Sequence, residues 1–245
     1  MIEPAPVGYY QWLDFNSPMT AETADRLVTQ LSSPAPSRVL DIGCGWAEFL
    51  LRVLAANPDA SGDGIDNDDV LIDRAGRNAA ARGLADRVAF RTGLDDSAPA
   101  DLVVNVGAEH VFGTLDQALE RLWPFVEPGG RLFLGTMIWE RSPTPEVAAA
   151  IGQVPTLPEL IDAAVGVGWR PLGLTVAAPT DWDHFEFGYL RDWEQHVMAA
   201  TNGEDADRAR RAADEHRAGY LERRGVLGFA YLTLGRPGSP ADVSP

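Results

Sequence analysis

One stretch of the sequence, residues 38–50, constrains the fold of this chain more than any other. It opens with a short apolar run at residues 39–42, interrupted by a single acid, which predicts a strand buried on both faces. Gly43 and Gly45 follow, and they permit backbone angles that other residues avoid. Apolar residues then recur at helical spacing, so a helix is predicted to begin near Trp46. The order of strand, glycine turn and helix is typical of a site for a nucleotide-sized ligand.

The glycine turn by itself also fits a tight turn without a ligand, but Asp66 favours the ligand. This residue ends a second predicted strand, residues 62–66, at the spacing where an acid accepts hydrogen bonds from both hydroxyl groups of a ribose. The phosphate-binding pattern G-x-G-x-x-G is incomplete, because Glu48 replaces its third glycine. A carboxylate there repels a pyrophosphate. The turn is therefore predicted to bind a nucleoside without phosphates.

These motifs resemble those of the class I S-adenosylmethionine-dependent methyltransferases, whose first motif runs apolar strand, acid, x-G-x-G. The resemblance continues in the same order through Asp66, Asp95, residues 101–107 and residues 127–131, and it covers roughly residues 20–178. It implies an α/β fold of three layers, Rossmann-like, with a seven-stranded and mostly parallel sheet, helices on both faces and an antiparallel strand seven. It also implies S-adenosyl-L-methionine as the cofactor.

Seven residues are predicted to hold that cofactor: Asp41, Gly43, Gly45, Asp66, Asn67, Asp95 and Asn105. In the resembling family, an acid after the third strand accepts a hydrogen bond from the adenine amino group. Asp95 is predicted to take this role in preference to Asp96. The alternative is that these acids form a solvated loop that does not contact the adenine. Asn105 lies at the carboxyl end of the predicted fourth strand, where open α/β sheets place their chemistry.

The same strand end supplies the predicted catalytic residues, His110 and Glu109. Methyl transfer needs the acceptor aligned and its proton removed, and His110 is suited to be the base because imidazole titrates near neutral pH. Residues 105–111 resemble the corresponding stretch of cyclopropane fatty acid synthases and plant alkaloid N-methyltransferases, although this chain is one residue shorter before the glutamate. A structural histidine that holds the loop is the alternative.

The chain is predicted to form a single methyltransferase domain over residues 1–235. Its parts are an N-terminal flap and helix (1–37), a cofactor-binding core (38–178), a helical cap inserted between strands six and seven (179–224) and the last strand (225–235). The N-terminal segment either closes over the cofactor, as in the resembling family, or packs against the body. Residues 236–245, with Pro, Gly and Ser, are predicted to be a disordered tail.

Aromatic and charged residues in and near the insert form the predicted substrate site. Aromatic faces attract ammonium groups. Trp139, Trp182 and Tyr189 are therefore expected to line a pocket for a hydrophobic or cationic group. His184 and Glu186 are further candidates for contact with the substrate. Packing of the insert is the alternative role for the aromatic residues.

Composition excludes several classes of function. The formal net charge is -16 and all 20 basic residues are arginine, which disfavours DNA or RNA as substrate and leaves no lysine for Schiff-base chemistry.

No apolar run approaches the ~20 residues of a membrane span, and no signal peptide is evident, which points to the cytoplasm. Cys44 alone forms neither an intrachain disulfide nor a Cys-rich zinc site, and a spacer role is expected for it. The four histidines lack paired spacing, so no metal site is predicted.

The sequence therefore predicts a methyltransferase that acts on nitrogen or oxygen of a small molecule. An NAD-dependent oxidoreductase is the second enzyme hypothesis, against which the missing third glycine and Asp41 both count. A non-catalytic nucleoside-binding protein is the third. Neither the identity of the methyl acceptor nor the oligomeric state follows from these residues.

Overall fold

A computed structural model describes residues 10–94, 97–199 and 203–238, which form two compact units. The core unit comprises Glu22–Ile138, Pro155–Val176 and the described part of Phe229–Pro245. The helical unit comprises the described parts of Met1–Ala21, Trp139–Val154 and Ala177–Gly228. The sequence predicts one domain with an insert at 179–224. In the structure the N-terminal segment and residues 139–154 belong with that insert.

The core unit is built on a seven-stranded sheet with the strand order β3-β2-β1-β4-β5-β7-β6. Strands β1, β2, β3, β4 and β5 pair in parallel, whereas β7 runs antiparallel to β6. The predicted fold class is thus confirmed. The strands are β1 (Arg38–Ile42), β2 (Ser61–Ile65), β3 (Val88–Arg91), β4 (Ala100–Val106), β5 (Val126–Trp139), β6 (Arg170–Val176) and β7 (Leu227–Gly235).

Helices cover both faces of this sheet. The helices of the chain are α1 (Ala21–Leu31), α2 (Glu48–Ala56), α3 (Asp69–Ala81), α4 (Leu115–Leu122), α5 (Pro145–Ile151), α6 (Leu157–Val167), α7 (Pro179–Ala199) and α8 (Gly203–Arg223). Successive side chains of β5 point to opposite faces. Leu132 and Leu134 belong to the core that α4 and α6 cover, whereas Phe133 stacks on Phe49 of α2.

The start of β1 is fixed to β4 by one carboxylate. Asp101 accepts hydrogen bonds from the backbone N–H groups of Ser37 at 2.7 Å and Arg38 at 2.9 Å. Because β1, β2 and β4 are neighbouring parallel strands, their carboxyl ends lie at one edge of the sheet. The residues that follow these three strands therefore come together at that edge.

The tail prediction is wrong at its first residue. Arg236 exchanges two backbone hydrogen bonds of 2.9 Å with Gly129 and Gly130, and its guanidinium donates to the carbonyl of Trp123 at 3.0 Å. These bonds extend the pairing of β5 and β7, and so β5 begins at Val126 instead of the predicted Arg131. Residues 239–245 of the predicted tail lie outside the described residues.

The helical unit contains the two helices that the sequence predicts for the insert, α7 and α8. Buried Glu186 of α7 pairs with His216 at 2.6 Å and with Arg223 at 2.8 Å, both in α8. Asp183 of α7 adds a two-pronged ion pair with Arg224, which follows α8, at 2.7 Å for each oxygen. These ion pairs join the two helices to each other. None of the described helices is long and apolar enough to cross a membrane.

Candidate active site

The glycine turn after β1 is held at both of its sides. The backbone N–H groups of Gly43 and Cys44 donate to the carbonyl of Ile65 at 2.8 and 2.9 Å. Gly43 has φ 80°, and a Cβ atom added there would lie 2.2 Å from the Cβ of Ala108. Only glycine satisfies both conditions, because other residues are strained at this φ and lack the space. The turn is thereby fixed against both β2 and the segment after β4.

Asp66 faces this turn and its carboxylate already accepts two hydrogen bonds. Gly45 donates to Oδ2 at 2.8 Å and the backbone N–H of Asp68 donates to Oδ1 at 3.0 Å. A carboxylate has about four acceptor positions, so each oxygen retains capacity for a ligand hydroxyl. Asn67, the next predicted cofactor residue, is exposed beside it.

Asp41 is a buried acid, with 4% of its surface exposed. Burial raises its pKa to about 8, and the negative charge of Asp66 contributes to the increase. The pKa of the neighbouring Cys44 thiol is also raised, by burial first and then by Asp41 and Asp66. The thiol therefore stays protonated near neutral pH, which supports a spacer role and not a nucleophilic one.

Glu48 at the start of α2 is locked by two arginines. Its Oε1 accepts a hydrogen bond from Arg52 at 2.7 Å, and its Oε2 accepts one from Arg82. The side chain is only 11% exposed. The position of the missing third glycine is thus occupied by a fixed side chain at the helix N-terminus, where a dinucleotide would place its pyrophosphate.

Asn105 lies fully buried in β4, next to β1. Its Nδ2 donates to the carbonyl of Ile42 at 2.9 Å, which ties the end of β1 to β4. Within the described residues its Oδ1 has no hydrogen-bond partner. A buried amide oxygen without a donor costs free energy, so this atom is suited to accept a hydrogen bond from a ligand.

The two predicted catalytic residues lie in different environments, although both belong to the one-turn helix Glu109–Phe112. His110 is exposed. Glu109 accepts a hydrogen bond from the hydroxyl of Thr136 on β5 at 2.6 Å through Oε1. Its Oε2 is buried and has no partner in the described part of the chain. One oxygen of the carboxylate is thus held by Thr136, and the other is a buried acceptor without a donor.

The predicted substrate residues belong to the helical unit and do not converge on one place there. Trp182, Glu186 and Tyr189 are buried, and Tyr189 packs on His216 of α8 with 4.9 Å between the ring centroids. Burial raises the pKa of Glu186, but the hydrogen bond from His216 and the charges of Arg223 and His216 outweigh it, and the net direction is downward. These contacts favour a packing role within the unit.

The two remaining predicted substrate residues are more accessible. Trp139 ends β5 and is half-buried, and His184 is exposed on α7. Asp95, the predicted adenine contact, lies outside the described residues. In the part of the chain that the structure describes, no three His, Cys, Asp or Glu side chains cluster as a metal site.

Sequence reasoning missed Thr136, the hydroxyl that holds Glu109. Its hydroxyl within the otherwise apolar run 132–139 of β5 was the available signal, because a buried hydroxyl requires a hydrogen-bond partner. It also missed the left-handed backbone of Ala47, with φ 60° and ψ 23°, just before α2. Nothing in the sequence indicates that conformation, which glycine usually adopts.

The fold and the residues at the sheet edge define a Rossmann-like methyltransferase. Residues 40–132 match the family model described as a methyltransferase domain. A solved S-adenosylmethionine-dependent methyltransferase from Thiobacillus denitrificans, in complex with S-adenosyl-L-homocysteine, is 27% identical with a TM-score of 0.81, and the alignment covers 90% of this chain and 93% of that one. The chain thus has the fold of the class I S-adenosylmethionine-dependent methyltransferases, and its matched methyltransferase domain lies where the sequence motifs predict it.

Two curated relatives are also similar. "Methyltransferase ungE'" of Aspergillus campestris is 31% identical over 173 residues, 65% of this chain and 49% of that protein. The 27-O-demethylrifamycin SV methyltransferase of Amycolatopsis mediterranei is 31% identical over 129 residues, 51% of this chain and 47% of that protein. The chain therefore spans about half the length of the curated relatives that it matches.

Proposed function

We propose that this protein binds S-adenosylmethionine and transfers its methyl group to nitrogen or oxygen of a small molecule. The observation that carries this proposal is the hydrogen bond of 2.8 Å between the Gly45 N–H and the Asp66 carboxylate. It couples the glycine turn to the acid that ends the second strand, within a matched methyltransferase domain.

The residues at the sheet edge fit an adenosine with a cationic side chain. Asp66 retains acceptor capacity for ribose hydroxyl groups, and the Oδ1 of Asn105 is a buried acceptor that needs a donor. Buried Asp41 adds a carboxyl group that would be stabilised in its charged form by a nearby cation. When bound, S-adenosylmethionine supplies an electrophilic methyl group on a sulfonium.

The locked carboxylate of Glu48 supports a nucleoside without phosphates over NAD. Two arginines hold it at the helix start where a dinucleotide would place its pyrophosphate. Both arginines are engaged by carboxylates, Arg82 by Glu48 and Arg52 by Glu48 and Asp25, so they are not free to bind a phosphate. This arrangement disfavours the oxidoreductase hypothesis.

Glu109 is our candidate for the group that takes the proton of the acceptor. Thr136 donates to one carboxylate oxygen, which orients the carboxyl group and leaves Oε2 to accept from an N–H or O–H of the acceptor. The proton lost by the acceptor would pass to this oxygen as the bond to the methyl carbon forms. Exposed His110 would serve as a second acceptor or relay.

A small molecule is the proposed acceptor because of the charge and the relatives. A net charge of -16 repels the phosphates of nucleic acids, and one relative is named for a rifamycin substrate. The cytoplasm remains the expected location and rests on the sequence alone.

Single-turnover transfer from methyl-labelled S-adenosylmethionine tests this proposal. The purified protein is incubated with a pool of small phenols, alcohols and amines, and with total RNA as a control. Label in the small-molecule fraction, lost in Glu109→Gln, is the expected result. Cofactor binding without transfer to any pool would support a non-catalytic nucleoside-binding protein instead.

A further inference from the structure

An open groove of about 630 Å³ lies within the helical unit. One wall is a single side of α7, because its residues 184, 187, 191 and 194 are spaced by three or four positions. Trp12 of the N-terminal segment and Arg217 of α8 complete the lining. The volume falls in the range of small-molecule sites. None of the residues to which the proposed methyl transfer assigns a role lines this groove.

The groove presents one arginine whose charge is not compensated. The guanidinium carbon of Arg191 lies 3.8 Å from the centroid of the Trp12 ring, and no acidic side chain in the described ranges pairs with it. Arg217, by contrast, pairs with Glu194 at 3.3 Å and also with Asp214. In a chain with a net charge of -16, an unpaired guanidinium inside a concave, aromatic site indicates an anionic ligand.

The ring under that arginine carries a second unsatisfied group. The Nε1 of Trp12 is buried and has no hydrogen-bond partner among the residues that the structure describes. An indole N–H is a donor only, so the group requires an acceptor oxygen. The guanidinium of Arg191 also consists only of donors. The indole N–H and the guanidinium are therefore neighbouring donors, and both can bind an acceptor oxygen of a ligand.

The apolar part of the lining indicates the chemistry of the part of the ligand that carries no charge. The side chain of Phe187 is 48% exposed, next to His184 on the same side of α7. An exposed aromatic ring in a groove offers a surface for an apolar or aromatic body. Arginine matches a carboxylate through two parallel hydrogen bonds.

We propose that this groove binds a small molecule that joins a carboxylate to an apolar or aromatic body. Arg191 holds the carboxylate, the indole N–H of Trp12 donates to it, and Phe187 contacts the body. The proposal is independent of the proposed methyl transfer, since every residue that carries it belongs to the helical unit and no cofactor is required.

Calorimetric titration of the whole protein, without S-adenosylmethionine, tests this site. The probes are indole-3-acetate and decanoate, each matched by its neutral amide, indole-3-acetamide and decanamide. We expect saturable binding of at least one carboxylate and binding of its amide that is at least tenfold weaker. No saturable binding of either carboxylate, or equal binding of acid and amide, would overturn the proposal.

Three variants locate the site. Arg191→Met keeps the apolar stem and removes the charge, and should weaken carboxylate binding at least tenfold. Arg208→Met is the matched control, because Arg208 is exposed on α8, pairs with Asp205 and does not line the groove. It should bind like the unmodified protein. Unchanged affinity in Arg191→Met would refute the assignment.

Trp12→Phe keeps the proposal testable should Arg191→Met not fold, which circular dichroism and thermal unfolding would reveal. An aromatic ring remains beneath Arg191, while the indole N–H is lost together with the five-membered part of the ring system. A loss of a few-fold in carboxylate affinity with no change for the amide is expected. Equal carboxylate binding by Trp12→Phe and the unmodified protein would show that the indole N–H does not bind the carboxylate. The assignment of the carboxylate site to this groove would then be wrong.

Discussion

The carboxyl groups of Asp41 and Asp66 interact across the glycine turn, and the charge of Asp66 adds to burial in raising the pKa of Asp41 to about 8. Asp41 is therefore mostly protonated at neutral pH. Acids whose pKa is raised by burial and by a second acid cluster at functional sites. The free energy of unfolding should therefore depend on whether Asp41 carries its proton.

Asp41→Asn should become increasingly more stable than the unmodified protein as the pH rises. The unfolded chain loses the Asp41 proton near pH 4, whereas the native state keeps it to about pH 8, so native stability is lost across that window. Asparagine mimics the neutral acid and has no such loss. The stability gap between the two proteins should widen by roughly 4 kcal/mol between pH 5 and pH 9. Urea unfolding at both pH values measures it, and a constant gap would contradict the assigned pKa.

Gly43→Ala should destabilise the core unit, because its Cβ would overlap that of Ala108 and its φ is positive. The expected cost is about 2–4 kcal/mol. Ala108→Gly in the same chain should restore part of it by removing the overlap. Gly76→Ala in α3 is the control, since nothing lies within 4 Å of the added Cβ, and a gain of about 0.5–1 kcal/mol is expected. Chemical denaturation measures all four proteins, and no recovery in the double variant would argue against the overlap.

Glu109→Gln should lower turnover by roughly 100-fold or more while leaving cofactor affinity within a few-fold, because an amide does not take a proton. Thr136→Val should lower turnover less, since it removes only the hydrogen bond that orients the carboxylate. His110→Ala should have the smallest effect, as the side chain is exposed. Rates across a pH series, together with calorimetric affinities, separate these cases. A larger loss in His110→Ala than in Glu109→Gln would make the histidine the base.

Glu186→Gln should destabilise the helical unit by roughly 3–5 kcal/mol, because it leaves the partly buried Arg223 and His216 without their anion. Glu194→Gln, which removes an exposed ion pair with Arg217, should cost under about 1 kcal/mol. Because the pKa of Glu186 is lowered, its stabilisation is present above the ordinary glutamate pKa and is lost as the pH falls through the lower native value. Hydrogen exchange of α7 and α8 amides reports the difference, and equal exchange in both variants would contradict a structural role.

Asp66→Ala should weaken S-adenosylmethionine binding by on the order of 2–3 kcal/mol, since charge-assisted hydrogen bonds are lost. Asp73→Ala is the control, because this acid is exposed on α3. Unchanged affinity in Asp66→Ala would remove the residue from the cofactor site.

The local pattern of the sequence was sufficient to predict the core unit. A buried strand, two glycines and an acid at the end of the next strand depend on spacing along the chain, and the structure brings Gly45 and Asp66 into contact. Helix α5 was not predicted, although Thr144 and Pro145 form a usual helix start. The short length of that helix left little periodicity from which to predict it.

Contacts between distant residues were beyond sequence reasoning. The register of β4 and β5 and the turn after β4 bring Thr136 to Glu109, and no local pattern contains that pair. Glu186 was predicted to contact a substrate because its partners lie far along the chain, His216 and Arg223 on α8. The tail prediction failed at Arg236 for the same reason, since its partners are in β5 and the turn before it.

Calorimetric titration with S-adenosylmethionine, S-adenosylhomocysteine and NAD in parallel tests the central claim most directly. The fixed carboxylate of Glu48 and the contact between Gly45 and Asp66 predict micromolar binding of both sulfur nucleosides and no binding of NAD. Binding of NAD alone would contradict the account, and with it the roles proposed for Asp66 and Glu109.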